Sequence, residues 1–263
     1  LSKDEKYAKE WIYQYLDWIK KNPLKQISLD AYEIYDLEGV AGIAENVRFA
    51  WRPLETSHRL QDQINQFTLF VESPSFTPSF LTEFLVNYRR HADHILHNYS
   101  KEGNHLLFEA QRMLYAGAFF PEFKEASTWR KSGIDILNRE IKKQIYDDGG
   151  QYELDLGYHV GCIEIFNKAL LMADANGFRN EFPESYVATI KKMIDFSMNL
   201  RFPDYSSPCF SDARQGSRQA EINNFKKWSE QFPDDESLRY FATQGEEGKL
   251  PQYLSKGFAT TGF

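Results

Sequence analysis

Two short segments of this 263-residue chain concentrate side chains able to move protons or hold anions. The first is Lys101-Glu102-Gly103-Asn104-His105, directly before an apolar helical stretch. Asn104 there can cap the helix, with Gly103 supplying the turn. Alternatively, the free N–H groups and partial positive charge of that terminus, with an amide and an imidazole beside them, make a site for a carboxylate. The second segment runs Asp147-Asp148-Gly149-Gly150-Gln151-Tyr152-Glu153 and continues through Leu154-Asp155-Leu156-Gly157 to Tyr158-His159. A glycine pair lets backbone approach a ligand closely, and Gln151, Tyr158 and His159 follow it. The alternative is a structural turn with a buried tyrosine and a hydrogen-bonded histidine.

Other clusters are less specific. His91, His94 and His97 recur at a spacing that spans about a third of a helix circumference. That spacing serves either metal ligation or a polar face beside Arg89 and Arg90, and the HExxH arrangement is absent. Trp51 to Arg59 and Pro208 to Asp212 read as helix-initiating turns. No P-loop, dinucleotide fingerprint, Gly-x-Ser-x-Gly elbow or kinase signature set occurs. Cys162 and Cys209 form no disulfide framework and no zinc set, and both read as buried thiols.

The elements that must position these residues are helices. Ser2 and Glu5 form a capping box, and Trp11, Tyr15, Trp18 and Ile19 follow at helical spacing until Pro23. A second helix is predicted from Ala44 to Val71, kinked or restarted at Pro53, and a third from Pro78 to Asn98. The fourth covers His105 to Ala116 and the fifth Phe123 to Tyr146, where the Asp-Asp-Gly-Gly cluster breaks it. The sixth covers Leu156 to Ala175, with Asn176-Gly177 as its C-terminal signal. Pro183 opens a seventh to Leu200, an eighth runs from Arg214 to Gln231, and a short one covers Glu236 to Thr243. The fold class is therefore all-α, without the fixed repeat of a solenoid. Residues 1–256 read as one helical domain. Residues 257–263 change to Gly, Thr and Phe and read as a linker or the first strand of a further β domain.

Composition narrows the partners. Lys plus Arg number 31 against 38 Asp plus Glu, a net charge of −7, which lacks the basic footprint of general nucleic-acid binding. No apolar run reaches the ~18–20 residues of a membrane span. Aromatics make up 16%, a content suited both to sugar rings and to thick helical cores.

Together, Gly103-Asn104-His105, Gly149-Gly150-Gln151-Tyr152 and Tyr158-His159 resemble the helical domain of bacterial heparinase II/III-type polysaccharide lyases. Trp51 to Arg59 and Pro208 to Asp212 fit the same pattern, and the likeness extends over essentially the whole chain. The resemblance implies an incomplete (α/α) toroid followed by a C-terminal β-sandwich domain, and secretion into a periplasm. The implied reaction is β-elimination at a uronic acid of an acidic polysaccharide of the heparan-sulfate type. In that reading Asn104, helped by His105, neutralises the uronate carboxylate. Tyr158 serves as base, as acid to the leaving oxygen, or as both, while Gln151 and His159 touch substrate. A further histidine expected from the β domain has no counterpart here, so the chain would be a truncated and incomplete enzyme.

A polyanion also needs a basic strip, for which Arg89, Arg90, Lys101, His105 and Arg214 are candidates. A modest strip on an acidic protein suits sparsely sulfated polymer. The chemistry requires no cofactor; a structural metal would belong to the further domain. Rival readings are an alginate or other uronate-polymer lyase, a non-catalytic sugar-binding helical module, and an inverting glycoside hydrolase, which needs paired carboxylates across a cleft.

Overall fold

The computed structural model describes residues 4–24 and 49–250, and its regular structure there is helical apart from an antiparallel bridge between Ile145 and Gln151. The expectation of a linker or strand over 257–263 lies outside the described residues. None of the described helices is long and apolar enough to cross a membrane. Contacts divide the chain into two compact units, one through Leu137 and one from Asn138.

In the first unit, α1 (Glu5–Lys21) is capped by Asp4, whose carboxylate accepts from the Lys6 amide. The start thus differs from the expected box at Ser2, which is not among the described residues. Helix α2 (Pro53–Phe70) begins on Pro53, after a helical stretch at 49–51. A proline lacks the N–H that the first turn leaves unpaired, so it restarts the helix here. Thr77 caps α3 (Pro78–His97) by accepting from the Phe80 amide. Helix α4 (Gly103–Phe119) starts earlier and ends later than predicted, and α5 (Ala126–Gln144) carries the chain across the division.

Many of the aromatics fill this unit rather than line a sugar site. Trp11 stacks on Phe70 with centroids 5.0 Å apart and meets Phe80 edge-on at 5.3 Å. Phe84 and Tyr88 of α3 are fully buried, and Tyr88 meets Phe120 at 4.7 Å. Such contacts add directional preference to apolar burial.

His91 and His94 correct the expectation of a polar histidine face, because both are buried. His91 donates from Nδ1 to the Asn87 carbonyl at 2.7 Å and accepts from Arg59 Nε at 3.3 Å. His94 donates from Nε2 to the Trp51 carbonyl at 2.7 Å. Burial, reinforced by the Arg59 charge, lowers the His91 pKa to about 3. Both rings are neutral packing elements beside Trp51, and only His97 of the three is exposed.

The second unit holds the end of α5, then α6 (Leu156–Ala175), a 3-10 turn (Arg179–Glu181), α7 (Glu184–Asn199), α8 (Arg218–Gln231) and α9 (Glu236–Ala242). Helix α6 matches its predicted bounds, with Asp155 capping one end and Asn176 the other. Helix α8 begins at Arg218 behind a Ser217 cap, later than the predicted Arg214. Phe166, Phe182 and Tyr186 form one buried cluster, and Tyr186 donates to the Phe166 carbonyl at 3.2 Å. Phe225, Trp228 and Phe241 pack a second. Cys162 is buried as expected, whereas Cys209 is exposed on the loop before α8.

Candidate functional site

In the first unit the cap position of α4 belongs to Glu102, and Asn104 sits inside the first turn instead of capping it. The chain enters through extended backbone at Glu102 (φ −164°) and a left-handed Gly103 (φ 77°), the latter a conformation glycine adopts without steric cost. Asn104 is partly exposed, and its side chain makes no hydrogen bond among the described residues. His105 is partly buried. Desolvation and then the Arg52 charge lower its pKa, with Glu55 opposing. The imidazole is thereby held neutral, able to donate or accept, at a terminus that favours anions.

Arg52, at the cap position of α2, forms a bidentate ion pair with Glu55 through Nε and Nη2. Farther along α4, the guanidinium of Arg112 lies 4.4 Å over the Phe108 ring, whose other neighbour is His58 of α2 at 5.5 Å. Arg112 is buried and its Nε has no partner among the described residues. The expected Arg89 is committed elsewhere, to Glu125 at 2.6 Å and Asp93 at 3.3 Å, and Arg90 donates to Asn87. Near the start of α4 the basic side chains are Lys101, which is exposed, and His105, on which the Arg52 charge acts, with Arg112 farther along the helix. Arg52 falls within the Trp51–Arg59 segment, which reads as a helix-initiating turn and fits the family pattern without singling out Arg52, and Arg112 carries no signal beyond its charge.

Inside the same helix lies a residue that sequence reasoning missed. Glu109 is fully buried and accepts from both the backbone N–H and the Oγ–H of Ser100, at 2.8 and 2.7 Å. Its place on the apolar stripe with Leu106 and Met113 was the available signal.

In the second unit the glycine pair serves protein, not an open backbone surface. Gly149 adopts φ 96°, and its Cα faces the Lys192 carbonyl of α7 so closely that a Cβ would overlap it. The turn is closed by Tyr146 N–H to Gly150 O at 2.8 Å and by Asp148, which accepts from the Gly150 amide. Gln151 is buried and folds back on Glu153, accepting from its amide at 3.0 Å and donating to its carboxylate at 3.2 Å.

Asp155 then starts α6 by accepting from the Tyr158 amide at 2.9 Å. This places Tyr158 in the first turn, the residue 39% exposed and its hydroxyl without a partner among the described residues. The alternative of a buried tyrosine does not describe it. His159 points inward and donates from Nε2 to the Met193 carbonyl at 2.8 Å, while its Nδ1 has no partner among the described residues. Burial, with Arg201 contributing, lowers its pKa to about 4. Arg201 is itself buried against Glu221 at 2.9 Å, and Arg214 is exposed on the loop before α8. Among the described residues no three His, Cys, Asp or Glu side chains gather as metal ligands.

Residues 1–240 match the family described as Heparinase II/III N-terminus. The chain is 62% identical over 263 residues to a heparin-sulfate lyase of Bacteroides stercoris, covering 100% of this chain and 40% of that protein. It is 46% identical over 261 residues to a heparin-sulfate lyase of Pedobacter heparinus, covering 99% and 37%. A solved heparinase III gene product superposes with a TM-score of 0.79 at 65% identity, over 97% of this chain and 40% of that one. The chain thus spans about 40% of the length of the curated relatives it matches.

Proposed function

The chain belongs to the heparinase II/III N-terminal family, and from that premise we propose that it is the helical part of a lyase that cleaves heparan sulfate by β-elimination at a uronic acid. The observation that carries this reading is the 62% identity, along the entire chain, to a protein named heparin-sulfate lyase.

In the proposed reaction the C5–H bond of the uronate breaks, its electron pair forms the C4–C5 double bond, and the C4–O bond to the leaving sugar breaks. The oxygen that leaves takes up a proton. The C5 proton is poorly acidic beside an ionised carboxylate, so neutralising that carboxylate comes first. Asn104 takes this role from the first turn of α4, with neutral His105 beside it. One fixed donor to a developing charge contributes roughly 3–4 kcal/mol. Tyr158 takes the C5 proton and returns one to the leaving oxygen. Its hydroxyl, without a hydrogen-bond partner among the described residues and on an exposed first turn, supports that assignment. His159 acts behind it, holding α6 to α7 through Met193. Gln151 secures the preceding turn.

The same proposal includes the remaining expectations of the resemblance. These are a toroidal arrangement, a β-sandwich domain beyond this segment that supplies a further histidine, and a periplasmic location. The chain's coverage of only 37% and 40% of its relatives supports the further domain. The segment alone is expected to be inactive.

The test is the ultraviolet absorbance of unsaturated uronate released from heparan sulfate by the full-length natural protein, with Tyr158→Phe and Asn104→Ala alongside. A rise abolished by either substitution is expected. Release from alginate but not from heparan sulfate would replace the substrate. No unsaturated product from any uronate polymer would overturn the lyase reading.

A further inference from the structure

Glu109 lies on the inward face of α4, among Leu106, Ala110 and Met113, with no exposed surface. A carboxyl in such a place is costly unless hydrogen bonds offset its desolvation. Both of its oxygens are used on a single residue, accepting from Ser100 N–H at Oε2 (2.8 Å) and Ser100 Oγ–H at Oε1 (2.7 Å). Ser100 belongs to the loop between α3 and α4, which then turns through Glu102 and the left-handed Gly103 to deliver Asn104 and His105. An apolar residue at 109 would remove both bonds to Ser100, leaving Tyr99, which packs on the core and accepts from Ser132 Oγ at 3.1 Å, as the loop's remaining inward anchor.

We propose that Glu109 is a positioning residue, an internal clamp on Ser100 that fixes the α3–α4 loop and through it the placement of the Asn104 amide. The proposal rests on the role given to Asn104 above and adds the device that holds it. The charged groups that act on Glu109 are Arg52 and Glu55, at the start of α2. Burial dominates, and Glu55 adds to it while Arg52 and the Ser100 bonds oppose. The carboxyl is pushed up to about 7. Among the described residues no cation forms an ion pair with Glu109, as befits a carboxyl kept for its hydrogen bonds and not for its charge.

The experiment uses the full-length protein, with heparan sulfate as substrate and amide hydrogen exchange as a second readout. Glu109→Ala is expected to lower kcat by about 10- to 100-fold with KM little changed, because sub-ångström placement controls the chemical step more than binding. In an Asn104→Ala background the same substitution should cost less than about threefold, since coupled residues are not additive. Glu109→Gln can accept from the Ser100 amide and donate to its Oγ, so it should keep the wild-type rate within about threefold. Exchange of the Ser100–His105 amides should rise in Glu109→Ala while that of α5 stays unchanged. Ser100→Ala, which removes one bond without opening a cavity, should give a smaller effect of the same kind.

An unaltered rate with unaltered exchange in a folded Glu109→Ala protein would overturn the proposal. So would equal losses in both backgrounds, or exchange rising over the whole unit. If the wild-type protein itself releases no unsaturated uronate, the lyase reading falls. The exchange arm then decides the clamp alone: a local rise upholds it and an unchanged loop refutes it.

Discussion

Tyr158 and His159 are consecutive on α6 yet serve opposite surroundings. Tyr158 is 39% exposed, whereas His159 is 2% exposed with Nε2 at 2.8 Å from the Met193 carbonyl. The divergence follows from the helix, where adjacent residues point in different directions. It separates a side chain available for chemistry from one that holds the helix in place.

Tyr158→Phe should therefore separate activity from stability. The substitution deletes a hydroxyl that bonds to nothing among the described residues, so the unfolding free energy should stay within about 0.5 kcal/mol. Loss of a proton-transfer group costs typically about 10²- to 10⁴-fold in rate. Paired thermal melts and uronate-release assays check this. A variant that keeps half the wild-type rate would remove Tyr158 from the reaction.

The buried histidines set an acid limit to stability. His159 titrates at about 4 and His91 at about 3 in the folded protein, below the ~6.5 of an unfolded histidine. Between these values the unfolded chain binds more protons, so their stabilisation is complete above pH ~6.5 and is lost as pH falls toward 4. His159→Gln keeps a donor toward Met193 but cannot titrate. Its urea midpoint should fall less steeply between about pH 6.5 and 4.5 than that of the wild type. Identical slopes would show that His159 does not carry the effect.

Glu109 has the opposite sign. Its folded value of about 7 lies above the unfolded 4.5, so its contribution is whole below pH 4.5 and is lost as pH rises through 7. Glu109→Gln should match the wild type in stability near pH 4.5 and exceed it at about pH 8. The gain has an upper bound of about 3.5 kcal/mol, since each tenfold change in a proton-binding equilibrium is worth about 1.4 kcal/mol. Melting temperatures at the two pH values measure it. A variant less stable than the wild type under the alkaline condition would mean that the amide cannot keep both Ser100 bonds.

Much of the helix pattern was legible in the sequence because caps and breakers are local. Asp155 and Asn176 bound α6 where the pattern put them, and Pro78 opened α3. Burial was less legible. His91 and His94 stand beside exposed Arg89 and Arg90, and periodicity cannot tell that Trp51 and Arg59 pack over them. Asn104 suits a cap by its type, but the helix starts two residues earlier than expected, at the positive-φ Gly103 with Glu102 as its cap. Glu109 reads as an ordinary helical glutamate until its oxygens are traced to Ser100. The Gly149-Gly150 pair suggested a ligand's approach, whereas the close neighbour is the backbone of α7, a partner distant in sequence.

That last contact yields a paired prediction at two glycines. At Gly149 a Cβ would meet the Lys192 carbonyl oxygen, and φ 96° is unfavourable for any other residue. Gly149→Ala should destabilise the protein by about 1–3 kcal/mol from backbone strain alone, with the overlap adding to it. It should also loosen the turn that leads to Gln151 and Tyr158. Gly161 lies within α6, where a Cβ would meet nothing within 4 Å. There alanine removes unfolded-state freedom and improves helix propensity, so Gly161→Ala should stabilise by about 0.5–1 kcal/mol. Urea unfolding of both variants decides the matter. Equal effects would mean that the approach of Gly149 to α7 is not what demands glycine at that position.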